Sequence, residues 1–152
     1  MRVRFPAALR KQMARALAKA GRREIGGVLM AEQLEPGTFR IVDFSIDSVT
    51  GSAAHFVRSV EHHEKTLNEF YERTGGDYSR FNYLGEWHSH PNHVPLPSSV
   101  DVASMEQLIY GERDIPFAML LIVRKAWWRR IVCSATLFQQ NSRPEPIEII
   151  PD

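Results

Sequence analysis

The chain is short of cysteine, of net charge and of long apolar runs, and each shortage removes a class of explanation. Cys133 is the single cysteine in 152 residues. No disulfide framework can form within the chain, so a reducing, cytoplasmic setting is the expectation. Cys133 lies in the apolar run "IVCSATLF" and reads as a buried, inert thiol. The lack of any C-x-x-C pair argues against the zinc site of a nucleobase deaminase. The formal net charge is only +1, which argues against nucleic-acid binding through bulk basicity. The longest apolar run, "PFAMLLIV" at 116–123, has the length of a buried strand and is far too short for a membrane span. The basic N-terminal segment lacks the apolar stretch of a secretory signal and reads as part of the domain.

What remains is a globular composition, with 43% hydrophobic and 24% charged residues. A packed core is expected, and the length suits one domain spanning residues 1–152. Residues 6–20 predict an amphipathic helix. Pro6 suits its first turn, Leu9, Met13, Ala16, Leu17 and Ala20 share one face, and Gly21 ends it. Arg10, Lys11, Arg15, Lys19, Arg22 and Arg23 lie mostly on the other side, either as a solvated face or as a docking surface for an acidic partner. "EIGGVLMAE" and "TFRIVDFSI" predict a hairpin around the turn at 35–37. The Gly26–Gly27 pair inside the first strand suggests a bulge or a close backbone approach.

"AAHFVRS" reads as a short strand carrying His55. Residues 59–76 read as a helix with Val60, Leu67, Phe70 and Tyr71 inward and His62 and His63 solvated. Residues 81–90 read as a strand and 99–112 as a helix capped by Ser98 or Ser99. "PFAMLLIVRK" and "RRIVCSATLFQQ" read as an antiparallel pair joined across "KAWW". Trp127 and Trp128 there either pack under their basic neighbours or form a recognition patch for a partner protein. The tail from 141 reads as an edge segment or a loose end. The fold class is therefore α/β in the α+β style, a single domain with a mixed, curved sheet flanked by helices.

The most informative stretch is "GEWHSHPNHVPLPSSVD", residues 85–101. Alternation along a strand puts Glu86, His88 and His90 on one face and Trp87 and Ser89 on the other. Two imidazoles so placed form a bidentate metal grip. The proline-rich loop then lets Asp101, in the first turn of the next helix, return as a third ligand. Two nitrogens and one carboxylate leave one tetrahedral position open, the pattern of a catalytic zinc site. Ser98-x-x-Asp101 also resembles a helix capping box, which alone accounts for those two residues but not for the paired histidines. Glu86 is a candidate base beside the histidines, and His93 an exposed loop residue or part of a substrate entrance.

"HSHP" followed by Ser98 and Asp101, with "EIGGVL" upstream, resembles the JAMM (MPN+) zinc metalloprotease family. Its pattern is an upstream glutamate and then H-x-H-x7-S-x2-D, matched here by Glu24, His88, His90, Ser98 and Asp101. "TGGDYSRFNYLGEWHSHP" further resembles the small prokaryotic branch, whose members occur beside bacterial ubiquitin-activating and ubiquitin-conjugating enzyme homologues, including antiphage operons. The resemblance implies a JAB/MPN, cytidine-deaminase-like fold and one zinc ion held by His88, His90 and Asp101. It implies Glu24 as general base and Ser98 as oxyanion donor. It also implies isopeptide hydrolysis between a ubiquitin-like modifier and its target, or trimming of a modifier precursor. A Gly-rich modifier tail would pass close to Gly26 and Gly27, with no nucleic-acid or membrane partner. The alternatives are a catalytically silent scaffold of the same fold and a zinc hydrolase acting on a small-molecule amide. Neither the modifier nor the oligomeric state is legible in the residues.

Overall fold

A computed structural model describes residues 1–47, 60–128 and 130–152. The strand expected over 53–59, with His55, lies outside the described residues. In chain order the elements are β1 (Arg2–Arg4), α1 (Ala7–Ala20), β2 (Gly26–Glu35), β3 (Thr38–Phe44), α2 (Val60–Arg73), β4 (Phe81–Ser89) and α3 (Ser99–Gln107). A π-helical turn (Leu108–Glu112), β5 (Phe117–Lys125), β6 (Ile131–Gln139) and β7 (Glu145–Ile150) follow. None of the helices is long and apolar enough to cross a membrane.

The sheet is mixed, as expected, but it curves until it closes. The strand order β1-β3-β2-β4-β5-β6-β7 returns on itself because β1 pairs in parallel with both β3 and β7. The tail from 141 is thus neither loose nor a free edge. Ile147 of β7 is buried in the core and pairs with Ala135. Closure gives β1 and β7 a partner on both sides.

Two apolar layers sandwich the barrel wall. The inner core joins Val3, Leu29, Ile41, Trp87, Leu121 and Leu137 to Met13 and Leu17 of α1. Pro6 stands at the N-cap of α1, and Gly21, at φ 64°, ends it with its N–H on the Leu17 carbonyl. On the opposite face, Val28 and Met30 pack under Leu67 and Phe70 of α2. Ala118, Leu120 and Ile122 pack under Met105, Leu108 and Ile109. β5 is covered on both faces, which is why it reads as an unbroken apolar run rather than an alternating one. Each fully buried Leu or Ile here contributes about 1.5–3 kcal/mol of transfer free energy.

The close approach expected at the glycine pair is present, and a segment of this chain supplies it. A Cβ on Gly27 would overlap the carbonyl and hydroxyl oxygens of Ser45. Val28 N–H donates to Ser45 Oγ at 2.9 Å, and Ser45 N–H donates to the Val28 carbonyl at 3.0 Å. Trp87 Nε1–H donates to the Ser45 carbonyl at 2.8 Å, so a buried indole depends on the same tight packing.

Candidate metal centre

β4 delivers the two histidines because its other face is anchored. Trp87 enters the inner core, so the alternate positions Glu86, His88 and His90 emerge on the opposite face. Ser89 ties β4 to the segment before β2. Its Oγ accepts from Ile25 N–H at 3.0 Å, and its N–H donates to the Ile25 carbonyl at 2.8 Å. Gly26 pairs with His88, so continuing the register past Ile25 and Ser89 sets Glu24 opposite His90. Glu24 is buried, and its charge helps to raise the His90 pKa. The role of Ser89 as this tie escaped the sequence reading, where a serine between two histidines carries no distinctive signal.

Asp101 arrives from the far side of the proline loop. Ser98 caps α3, with Asp101 N–H donating to Ser98 Oγ at 3.2 Å and Ser98 N–H to Asp101 Oδ2 at 2.7 Å. The Ser98 hydroxyl lies 2.8 Å from the same oxygen. The capping box is therefore real, and it also aims the carboxylate. Asp101 Oδ1 is 3.1 Å from His88 Nε2, Oδ2 is 3.3 Å from His90 Nε2, and the two Nε2 atoms are 3.2 Å apart.

Those separations test the fit of a metal. A tetrahedral ion with bonds of about 2.0–2.1 Å has donor–donor edges of about 3.3–3.4 Å. The two Nε2 atoms stand almost at that spacing, each imidazole meets a different oxygen of the Asp101 carboxylate at a like distance, and two imidazoles with a carboxylate suit zinc. His90 is also preset for the task. Its Nδ1 lies 3.0 Å from the Val94 carbonyl. A carbonyl only accepts, so Nδ1 carries a proton, and Nε2 faces inward, as a second N–H toward Asp101 when the ring is charged and as a lone pair for an ion when it is neutral. Among the described residues, this trio is the group of His, Cys, Asp and Glu side chains close enough to share an ion.

The electrostatics follow from the same contacts. The hydrogen bond to Asp101 raises the His90 pKa, against its burial, with the Val94 carbonyl and the Asp101 and Glu24 charges adding to the rise. Burial would raise the Asp101 pKa, but hydrogen bonds from His88 and His90 outweigh it and hold the carboxyl far below the usual range. The site is thus built to keep a carboxylate ionised beside two imidazoles.

The other candidates fall elsewhere. Glu86 is buried, with Oε1 3.9 Å from Nδ1 of His63 on α2. His63 is fully buried, against the expectation of a solvated side chain, while His62 beside it is exposed. His93 is exposed, its ring 6.1 Å from that of His90, and its carbonyl accepts from Arg124 at 3.4 Å. Cys133 is only half-buried, and burial raises its thiol pKa against the charge of Arg10. Trp127 and Trp128 are 83% and 87% exposed, and among the described residues no cation stacks on either.

Comparison with known proteins places this geometry. The solution structure of protein DSY2949 from Desulfitobacterium hafniense superposes with a TM-score of 0.72, covering 99% of this chain and 92% of that one at 19% identity. At that identity the likeness is one of fold. A Vibrio cholerae protein named "CD-NTase/cGAS isopeptidase" is 37% identical over 67 residues, and an Escherichia coli protein of the same name is 36% identical over 67 residues. Each match covers 44% of this chain and 40% of the relative. The aligned part thus spans well under half the length of those proteins. The model of the prokaryotic homologues of the JAB domain matches residues 6–134, a span that holds Glu24, His88, His90, Ser98 and Asp101, and the chain belongs to that family.

Proposed function

We propose that this chain is a zinc-dependent isopeptidase of the JAMM type. It removes a ubiquitin-like modifier, or a protein joined through its C-terminus, from a lysine of the target, or it trims the modifier precursor. The bacterial relatives named for isopeptidase activity support a setting in conjugation and defence. One observation carries the reading: His88, His90 and Asp101 converge at 3.1–3.3 Å, with the buried Glu24 in the segment that leads into β2 beside them.

His88, His90 and Asp101 would hold the zinc ion, which when bound supplies Lewis acidity toward a carbonyl and toward water near neutral pH. Glu24 takes the proton of the attacking water and returns it to the leaving lysine amine. Glu24 is preferred to Glu86 for this work because its charge acts on His90, whereas the Glu86 carboxylate faces His63. The Ser98 hydroxyl, exposed at the N-cap, turns from Asp101 to donate to the developing oxyanion. Val94 and Leu96 on the loop and Val100 in the first turn of α3 stand exposed on the approach to Asp101. They offer an apolar lip to a polypeptide, with His93 at the same entrance and Gly26 beside the ligand strand.

The test is cleavage of an isopeptide conjugate by the purified chain with and without a chelator, alongside Glu24→Ala and Glu24→Gln. Chelation should abolish cleavage, and added zinc should restore it. Both variants should bind zinc as the parent does and yet cleave at least about 10²-fold more slowly. Full cleavage by Glu24→Ala removes Glu24 from the mechanism. Undiminished cleavage after complete metal removal defeats the proposal.

A further inference from the structure

The turn between β5 and β6 spends an unusual amount of apolar surface on solvent. Trp127 and Trp128 are 83% and 87% exposed. The described residues around them are hydrogen-bonded: Ala126 N–H donates to the Arg130 carbonyl at 2.7 Å, and Arg130 N–H donates to the Trp127 carbonyl at 3.2 Å. Trp128 is held at φ 55°, a left-handed conformation that a bulky non-glycine residue seldom adopts without a functional reason. Two indoles are thus presented on a hydrogen-bonded turn instead of folding back onto the barrel.

Trp128 also forms one wall of a cleft of about 760 Å³ whose other lining residues are Ala7, Arg10, Lys11, Arg15, Arg130 and Ile131. Four cations therefore face one hollow, and no carboxylate lines it among the described residues. None of the four makes an ion pair among the described residues. This contrasts with Arg2, Arg4, Arg40, Arg73 and Arg80, each of which holds a carboxylate. Like charges gathered without counter-charge repel one another, so the fold gains nothing from the arrangement. An anionic partner would relieve it.

We infer that the cleft between α1 and the β5–β6 turn docks an acidic polypeptide segment, its carboxylates meeting Arg10, Lys11, Arg15 and Arg130 and an apolar side chain packing on Trp128. Tryptophan with arginine is the pairing that concentrates binding energy in protein interfaces. The chain's near-neutral net charge of +1 gives a polyanion such as nucleic acid little field beyond this hollow, so a segment with a few carboxylates is the better match. The docking site lies on the metal-centre end of β5. The Val123 carbonyl accepts from His90 N–H at 2.8 Å, and the turn starts three residues later, about 10 Å along the strand. The inference stands whether or not the metal centre hydrolyses anything.

Fluorescence anisotropy tests it with a short labelled peptide of glutamate pairs separated by leucines. Controls are the same peptide with glutamine for glutamate, and labelled oligo-dT of equal length. The parent protein should bind the glutamate peptide, more weakly as salt rises, and should bind the glutamine peptide at least about tenfold more weakly. Lys11→Glu combined with Arg15→Glu, both on the exposed face of α1, should weaken binding by about tenfold or more. Trp128→Gly suits the left-handed backbone, so it should fold and still lose about fivefold or more in affinity. Chelator treatment should leave peptide binding unchanged, which separates this surface from the metal centre. Equal binding of the glutamine peptide, indifference to both variants, or tighter binding of oligo-dT would each overturn the inference.

Discussion

The chain carries two histidine pairs, and they behave in opposite ways. His88 and His90 are two apart on a strand, share a face and meet at 3.2 Å. His62 and His63 are adjacent on a helix, diverge by about 100° around its axis, and end in different media, one exposed and one fully buried. Proximity in sequence therefore says little; the periodicity of the element decides whether two side chains can hold one ion. The comparison predicts its own strongest test. His88→Ala or Asp101→Ala should each reduce zinc content from about one per chain to near zero and lower peptidase activity by about 10³-fold or more, as read by metal analysis and conjugate cleavage. His62→Ala should change neither. Zinc retained in full by His88→Ala would place the ion elsewhere.

Ser98 belongs to the first pair's machinery but holds it through α3. Its hydroxyl both accepts from Asp101 N–H and lies against Asp101 Oδ2, so removing it has two separable consequences. Loss of the cap should lower stability by about 1 kcal/mol, measured by denaturant unfolding. Loss of an oxyanion donor should lower kcat by about 10²–10³-fold with KM little changed. A fall in zinc affinity with kcat unaltered in the metal-saturated variant would assign Ser98 to aiming Asp101 alone.

The same contrast explains what could be read from residues alone. The alternation of β4 and the capping residues of α3 are local signals, and the side chains they single out, His88, His90 and Asp101, do lie together; the apolar face of α1 was equally legible. Barrel closure was invisible because it depends on β1, three residues long, pairing in parallel with β7 from the far end of the chain. So short a strand has no periodicity to detect, and "EPIEII" looked like a tail because its partner was missing. The Val94 carbonyl behind His90 has no residue-type signature, since any residue carries a carbonyl. Gly27 was read as room for a substrate, and the backbone that fills the space is Ser45 of the same chain. His63 looked solvated because the glutamates around it are; only the position of α2 over β4 puts that one turn against Glu86.

Cys133 gives a smaller test of the local environment. Burial raises its thiol pKa, so less thiolate is present at neutral pH and the nucleophilic form is scarce. Labelling by a thiol reagent at neutral pH should be several-fold slower than for a free cysteine. It should accelerate as pH rises through a value above the ordinary thiol range. Labelling as fast as a model thiol would mean that β6 opens readily at this point.

The buried member of the helical pair offers the finest discrimination. His63 fills space between α2 and β4 with its ring fully enclosed, so His63→Ala leaves a cavity and a Glu86 carboxylate without that neighbour. A loss of about 2–4 kcal/mol in unfolding free energy follows from the cavity and the altered polar contact. Metal stoichiometry should stay near one per chain, because none of the converging donors comes from α2. His62→Ala, on the exposed face of the same turn, should alter stability by no more than about 0.5 kcal/mol, alanine being the better helix former. If His63→Ala released zinc while its unfolding free energy held, α2 would be part of the metal centre, and the two pairs would prove to be one system.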